Sequence, residues 1–305
     1  MSALRSLAAG GLAALVAAST GVGAGAQLTL ADTGSTSSRV TAELSAQALT
    51  AQGFIVTRAT LASAVAADAA LTAGTIDLYA TDSAVLLERV LARPKVRDDS
   101  QLGGALASAL AARGHVPVAI APSDDSPQVA CRKAAVRTHK LSGLLTLGRA
   151  ARNLTYAATG PHVVRADGLI ALRVRFRRVV VAAESKRFDL IRRRKVHCVL
   201  SSGAEPRAAR LGLVALRDRT RRLAGTPQHG LLVASQTYLV SSSAAFTPTL
   251  DRVAALLTTD TLRTVIGQVE LDQSIDLRLC WLEFEILVGD VPDRLRPFAA
   301  TIIDH

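Results

Sequence analysis

The stretch "GTIDLYATDSAVLL" (74–87) sets an aromatic ring, Tyr79, and a carboxylate, Asp82, where an apolar strand runs into a helix. Such a pair can grip a small solute, because the ring face takes a cationic or apolar group while the carboxylate accepts hydrogen bonds. Each residue also has a plainer use. Tyr79 can lie in the core with its hydroxyl satisfied, and Asp82 can cap the helix that starts at Ser83. The residue types do not point to catalysis. There is no Gly-x-Ser-x-Gly elbow, Ser-x-x-Lys pair, phosphate-cradling Walker loop or His-Glu-x-x-His helix. His197 and Cys198 are adjacent on a strand, so their side chains face opposite ways and cannot form a nucleophile pair. The three cysteines lack the spacing of a zinc site. No catalytic residue, metal ligand or cofactor is expected.

The elements that position these groups alternate. "QLTLAD", "FIVTRA", "TIDLYA" and "HVPVAIA" read as strands. Between them, "SSRVTAELSAQALTAQG", "ASAVAADAALTAG", "DSAVLLERVLAR" and "DSQLGGALASALAARG" read as helices. After a polar break, "PSDDSPQ" (122–128), the pattern resumes with strands "LTYAA", "RVVVAA", "KVHCVLSS" and "LVAL" and helices "ADGLIALRVRF", "SKRFDLIRRR" and "EPRAARLG". A second break (217–230) precedes the strand "LLVASQTYLV". Two helices follow, the last with Trp281, Leu277 and Phe284 on one apolar face. Strands separated by helices of this length predict parallel pairing, hence an α/β chain of two lobes joined by two crossings. Ligand crevices in such sheets lie outside the carboxyl ends of the strands, where Tyr79 and Asp82 fall.

Residues 1–26 carry one early charge, Arg5, then an Ala/Leu/Val/Gly run that ends in small residues, which reads as a cleavable export signal. An uncleaved membrane anchor is the alternative. Export permits one disulfide, with Cys131 and Cys198 as the pair, although buried free thiols are the favoured expectation. Between Arg165 and Arg222 there are 17 Lys/Arg against 5 Asp/Glu, within a chain of formal charge +11. An exported chain rarely meets nucleic acid, so the partner that suits this surplus is an anionic lipid or wall polymer. A solvated basic face is the plainer reading.

Four stretches, "ELSAQALTAQGFIVTR", "ALTAGTIDLYATDSAVLL", "LTYAATGPHVVRADGLIAL" and "LTTDTLRTVIGQVELD", recur in an order and spacing that resemble the substrate-binding proteins of ABC importers for glycine betaine, choline and related osmoprotectants. The resemblance covers about residues 28–275. It implies the type II periplasmic-binding-protein fold, with one lobe of residues 27–121 and 232–305 and the other of 122–231. It also implies an extracytoplasmic protein, in the periplasm or at the cell surface, that closes on a small solute and delivers it to a membrane permease and ATPase. Residue by residue, it aligns Arg165 in "RADG" with the arginine that holds a carboxylate, Asp125 with a ligand-contacting asparagine, and His229 with a tyrosine. Asp32 and Thr33 fall in its opening loop. Glu205 and Arg207 match a turn where a local salt link is expected.

The departures from the family are as informative. Asp82 stands where the family has a ligand-facing tyrosine, Val85 replaces a threonine, and Ser123-Asp124-Asp125-Ser126-Pro127 lacks the family's rings. A quaternary ammonium has no hydrogen to donate and relies on stacked aromatic faces, which this chain, 3% aromatic, largely lacks. The expectation is therefore an osmoprotectant-type solute-binding protein whose pocket is acidic and poor in rings. Its candidate ligand residues are Asp32, Thr33, Tyr79, Asp82, Asp124, Asp125, Arg165 and His229. Asp124 and Asp125 can equally serve to cap or turn the crossing. Two other roles remain open: an envelope sensor or sequestering module on the same fold, and a basic protein that adheres to an anionic surface through 165–222.

Overall fold

Ser35 shows how local chemistry starts an element. Its backbone is extended and its hydroxyl accepts the Ser38 N–H at 3.1 Å, which satisfies one of the free donors at the start of helix Thr36–Ala51. Val40, Leu44 and Ala48 then fall on one buried face at helical spacing. Removing the cap by Ser35→Ala is expected to cost about 1 kcal/mol in a denaturant-unfolding experiment.

The computed structural model describes residues 26–164, 168–219, 221–223 and 225–272. Its strands are β1 (Gln27–Asp32), β2 (Ile55–Thr60), β3 (Leu78–Asp82), β4 (His115–Ile120), β5 (Pro127–Cys131), β6 (Thr155–Ala158), β7 (Arg178–Val181), β8 (Cys198–Ser202), β9 (Val214–Ala215) and β10 (Gly230–Ser235). They form two five-stranded sheets, ordered β2-β1-β3-β10-β4 and β7-β6-β8-β5-β9. The chain passes between the sheets at 121–126 and again at 216–229. β10 opens at Gly230, so the first sheet takes the chain back two residues before 232.

β1 pairs in parallel with β2 and β3, and β6 with β7 and β8, as the alternation predicts. The expectation of parallel pairing is corrected at β10, and β5, a strand not expected from the sequence, joins it in running antiparallel to its neighbours. Both enter their sheet straight from a crossing, with no helix before them. The crossing delivers the chain at the end where the parallel strands stop, opposite Asp82 for Gly230 and opposite Ser202 for Pro127, so it must run back the other way.

Each sheet is covered on both faces. In the first lobe, Leu30, Leu78 and Leu232 pack against helices Thr36–Ala51 and Phe246–Leu256, while Tyr79, Leu231 and Val233 face Leu71, Leu102 and Leu106 on the other side. In the second lobe, Tyr156 stacks on Phe176 with ring centroids 4.7 Å apart, and Val199 packs on Phe188 and Ile191 across the sheet. Cys131 stands directly opposite Cys198 in the β5–β8 ladder, and the two form a disulfide with Cα atoms 4.0 Å apart. The expectation of free thiols at these two positions is overturned, because strand register brings the sulfurs face to face.

Three further expectations change. The helix expected over 82–93 is a short turn, Ser83–Val85, followed by a widened π-helical turn, Leu86–Val90, which buries the consecutive Leu86 and Leu87. Among the described residues the helix expected in "ADGLIALRVRF" is only Leu169–Leu172, ended by Arg173 in the left-handed region (φ 51°). "LLVASQTYLV" is strand to Ser235 and helix over Gln236–Ser241. The export segment, apart from Ala26, and the helix around Leu277, Trp281 and Phe284 lie outside the described residues. Among those described, no helix is long and apolar enough to cross a membrane.

Candidate functional site

The carboxyl ends of β6 and β8 face the start of the π-helical turn across a crevice between the lobes, with a cavity of about 340 Å³. Glu88 and Arg89 line it from the first lobe. Thr159, His162, Glu184, Arg187, Ser201 and Ser202 line it from the second, and Asp125 and Gln228 come from the two crossings. The charged groups are three carboxylates and two guanidiniums. No Phe, Tyr or Trp ring lines the crevice among the described residues, and His162 supplies its one imidazole.

Arg187 organises the second-lobe wall. It is 4% exposed, with its guanidinium 2.9 Å from Glu184 and 3.4 Å from the buried Glu205, and it lies 5.0 Å from the centre of the Phe188 ring. Its Nε–H is buried with no acceptor among the described residues. An arginine held this rigidly, with a donor unfilled, suits recognition of a planar anionic group. Burial raises the Glu205 carboxyl above its ordinary range, and its bonds to the Arg207 N–H (3.0 Å) and guanidinium (3.4 Å) form the expected salt-linked turn.

Asp125 is the expected ligand residue that the structure places on the crevice wall. Its Oδ1 accepts the Ala204 N–H at 2.9 Å, its own N–H donates to Gln228 O at 2.8 Å, and burial pushes its carboxyl up. Asp82 ends β3 behind it. It makes no helix-cap bond, so capping is not its role, and among the described residues its carboxylate accepts from the Ser37 hydroxyl at 3.4 Å. Burial, and then the nearby Asp125 charge, raise the Asp82 carboxyl to about 7. The two acids thus form a pair that holds a proton close to neutral pH.

The structure takes the other expected residues elsewhere. Tyr79 is fully buried in the first-lobe core, where burial and the Asp68 charge push its hydroxyl above the ordinary tyrosine range. As the second residue of a strand covered on both faces, it points into the core. Asp32 shapes its own turn, accepting from the Gly34 N–H and the Thr60 hydroxyl, both at 2.8 Å, and the Thr33 N–H donates to Ser38 Oγ at 3.3 Å. Neither lines the crevice. Asp124 closes a turn on the Ser126 N–H at 3.0 Å and faces Arg221 at 3.7 Å. His229 is fastened in the second crossing, its Nδ1–H donating to Ser123 O at 2.6 Å and its Nε2 lying 3.3 Å from Asp99. Arg165 lies outside the described residues.

Sequence reasoning missed Glu88, Arg89, Thr159, Glu184, Arg187 and the Ser201–Ser202 pair. The strand-end rule that singled out Asp82 would also have found Thr159 and Ser202 had it been applied to the second lobe. Arg187 sat in a run of basic residues that read as surface, and only Glu184 one turn before it hinted otherwise.

Behind the crevice the lobes are bridged by the returning helix Thr259–Gly267. Arg263 donates twice to Gly203 O, at 3.2 and 2.7 Å, and the Asp124 N–H donates to Thr259 Oγ1 at 2.8 Å. Just beyond the helix, Glu270 takes Arg207 at 3.2 Å and the Thr36 hydroxyl at 2.6 Å. Gly203 permits this approach, since a Cβ there would collide with the Asp124 carbonyl.

The sequence pattern of a family described as the substrate binding domain of ABC-type glycine betaine transport systems matches residues 26–276. No curated protein matches the chain. Among solved structures, a glycine betaine/carnitine/choline ABC transporter protein superposes with a TM-score of 0.77 at 12% identity, covering 86% of this chain and 99% of the other. Apo YehZ from Escherichia coli gives 0.69 at 16% identity over 88% of this chain and 99% of its own. Lactococcal OpuAC, closed on glycine betaine, gives 0.56 at 11% identity over 87% and 96%. At these identities the structures establish the two-lobed fold.

Proposed function

Because the chain belongs to the family of substrate-binding domains of ABC-type glycine betaine transport systems, we propose that it binds a small polar solute other than a quaternary ammonium in the interlobe crevice and hands it to a permease and ATPase. The observation that carries this reading is the absence of Phe, Tyr and Trp from the crevice wall among the described residues, beside the acids Asp125 and Glu88 and the buried Arg187. A methylated ammonium in that setting would lose its hydration and gain no aromatic face in return. A solute with N–H or O–H donors at one end and an anionic group at the other would satisfy Asp125 and Glu88 together with Arg187. Closure of the lobes on that solute shifts the population toward the form a permease recognises. Membership of the family supports a role outside the cytoplasm and one of binding rather than chemistry.

A thermal-shift screen of amino acids, polyamines, sugars and betaines tests the proposal. A cognate solute at a hundred times its Kd stabilises by about 2.7 kcal/mol, a shift of roughly 5–10 °C for a chain of this size. Arg187→Ala is expected to erase that shift, and glycine betaine to give little or none. A large betaine shift that survives Arg187→Ala but disappears with Arg165→Ala would refute this account of the pocket.

A further inference from the structure

Antiparallel pairing puts the carboxyl end of β5 beside the amino ends of β8 and β9, at the pole of the second lobe that faces away from the crevice. Three turns converge there: Arg132 and Lys133 after β5, Arg192 to Arg194 before β8, and Leu211 to Leu213 before β9. They enclose a concave site of about 490 Å³, walled by Arg132, Lys133, Arg192 and Arg194 over an apolar floor that includes Ile191 and Leu213. Among the described residues no carboxylate lines it. Arg192 pairs with Asp189 at 2.7 Å, whereas no ion pair engages Arg132, Lys133 or Arg194 among the described residues, and the Arg132 Nε–H is buried without an acceptor. Arg194 holds a left-handed backbone (φ 58°), a position that favours glycine, yet the chain spends it on a fourth cation. His197, whose carbonyl accepts the Arg132 N–H at 3.0 Å, is held below its ordinary range by burial and then by the charges of Arg132, His139 and Arg177, which fits an uncompensated positive field at this pole.

We infer that this pole is a second binding site, separate from the solute crevice, for a phosphate ester. The cations match a multiply charged oxyanion that can take several charge-assisted hydrogen bonds, and the apolar floor accommodates the short carbon skeleton of a glycerol phosphate group. That group occurs both as a soluble ester and as the headgroup of an anionic phospholipid. The site does not depend on the identity of the crevice solute.

Titration calorimetry of the protein with glycerol 3-phosphate at low ionic strength tests the site. Saturable binding that weakens as salt rises is expected, with Arg132→Ala and Arg194→Gly each weakening it by about tenfold or more. Arg252→Ala, which removes an equal charge from an exposed position on the first-lobe helix Phe246–Leu256, should leave it unchanged. Arg194→Gly relaxes a left-handed residue and keeps the test valid if Arg132→Ala fails to fold. Sedimentation with phosphatidylglycerol vesicles, against phosphatidylcholine alone, separates the sources: vesicle binding lost in Arg194→Gly assigns a membrane headgroup, and ester binding without vesicle binding assigns a soluble ester. Absence of saturable binding, or an equal loss in Arg252→Ala, overturns the inference.

Discussion

Asp82→Asn should stabilise the solute-free protein by about 2–4 kcal/mol at pH 8 and leave its stability near pH 4 unchanged. The sign follows from a carboxyl whose value is raised from 3.8 to about 7 by burial and by Asp125. Below pH 4 the group is protonated in both folded and unfolded chains and costs nothing. Between pH 4 and 7 the unfolded chain releases the proton while the folded chain retains it, so stability falls as pH rises. Above 7 the penalty is complete. Asparagine carries no such penalty, so the difference between variant and wild type should open across that window. Urea unfolding of both proteins at several pH values measures it, and a difference that stays flat with pH would rule out the acid pair. A destabilising carboxyl just behind a crevice wall is what a binding site would be expected to retain, since an N–H donor bound at Asp125 lessens the repulsion that Asp82 feels.

Replacing Cys131 and Cys198 together by alanine is expected to lower stability by about 4 kcal/mol. The bridge closes a loop of 67 residues, and losing it returns that conformational freedom to the unfolded chain. The chain has three cysteines, so thiol titration of the unreduced, unfolded protein should find one free thiol. Three free thiols, with unfolding midpoints unchanged by reductant, would remove the bridge from the account.

The alternation of strand and helix made both lobes legible, because burying a sheet on two faces demands near-continuous apolar strands and crossover helices of a set length. β5 escaped notice because Pro127 and Gln128 share the polar character of the crossing, and the burial of Val129–Cys131 shows only in three dimensions. The site was less legible than the fold. Asp82 stood out as a carboxylate where the resemblance implies a ring, and Asp125 as one where it implies an asparagine. Asp32, Asp124 and His229 looked equally eligible, but a local N–H, hydroxyl, carbonyl or ion pair engages each of them. Tyr79 shows the limit of strand-end reasoning: one residue's difference in register decides between cavity and core. Arg187 was invisible because burial of an arginine depends on partners as far off as Glu205, 18 residues along the chain.

The contacts of Arg263 with Gly203, and of Glu270 with Arg207 and Thr36, fasten the two lobes along one rear edge. With that edge pinned, separation cannot be even: the mouth swings widest and the back hardly parts. An incoming molecule therefore meets the exposed Arg89 and Glu184 at the threshold before it reaches Asp125 beside the pivot. Selection by charge would thus happen in sequence, a screen at the doorway followed by a tighter test at the far end.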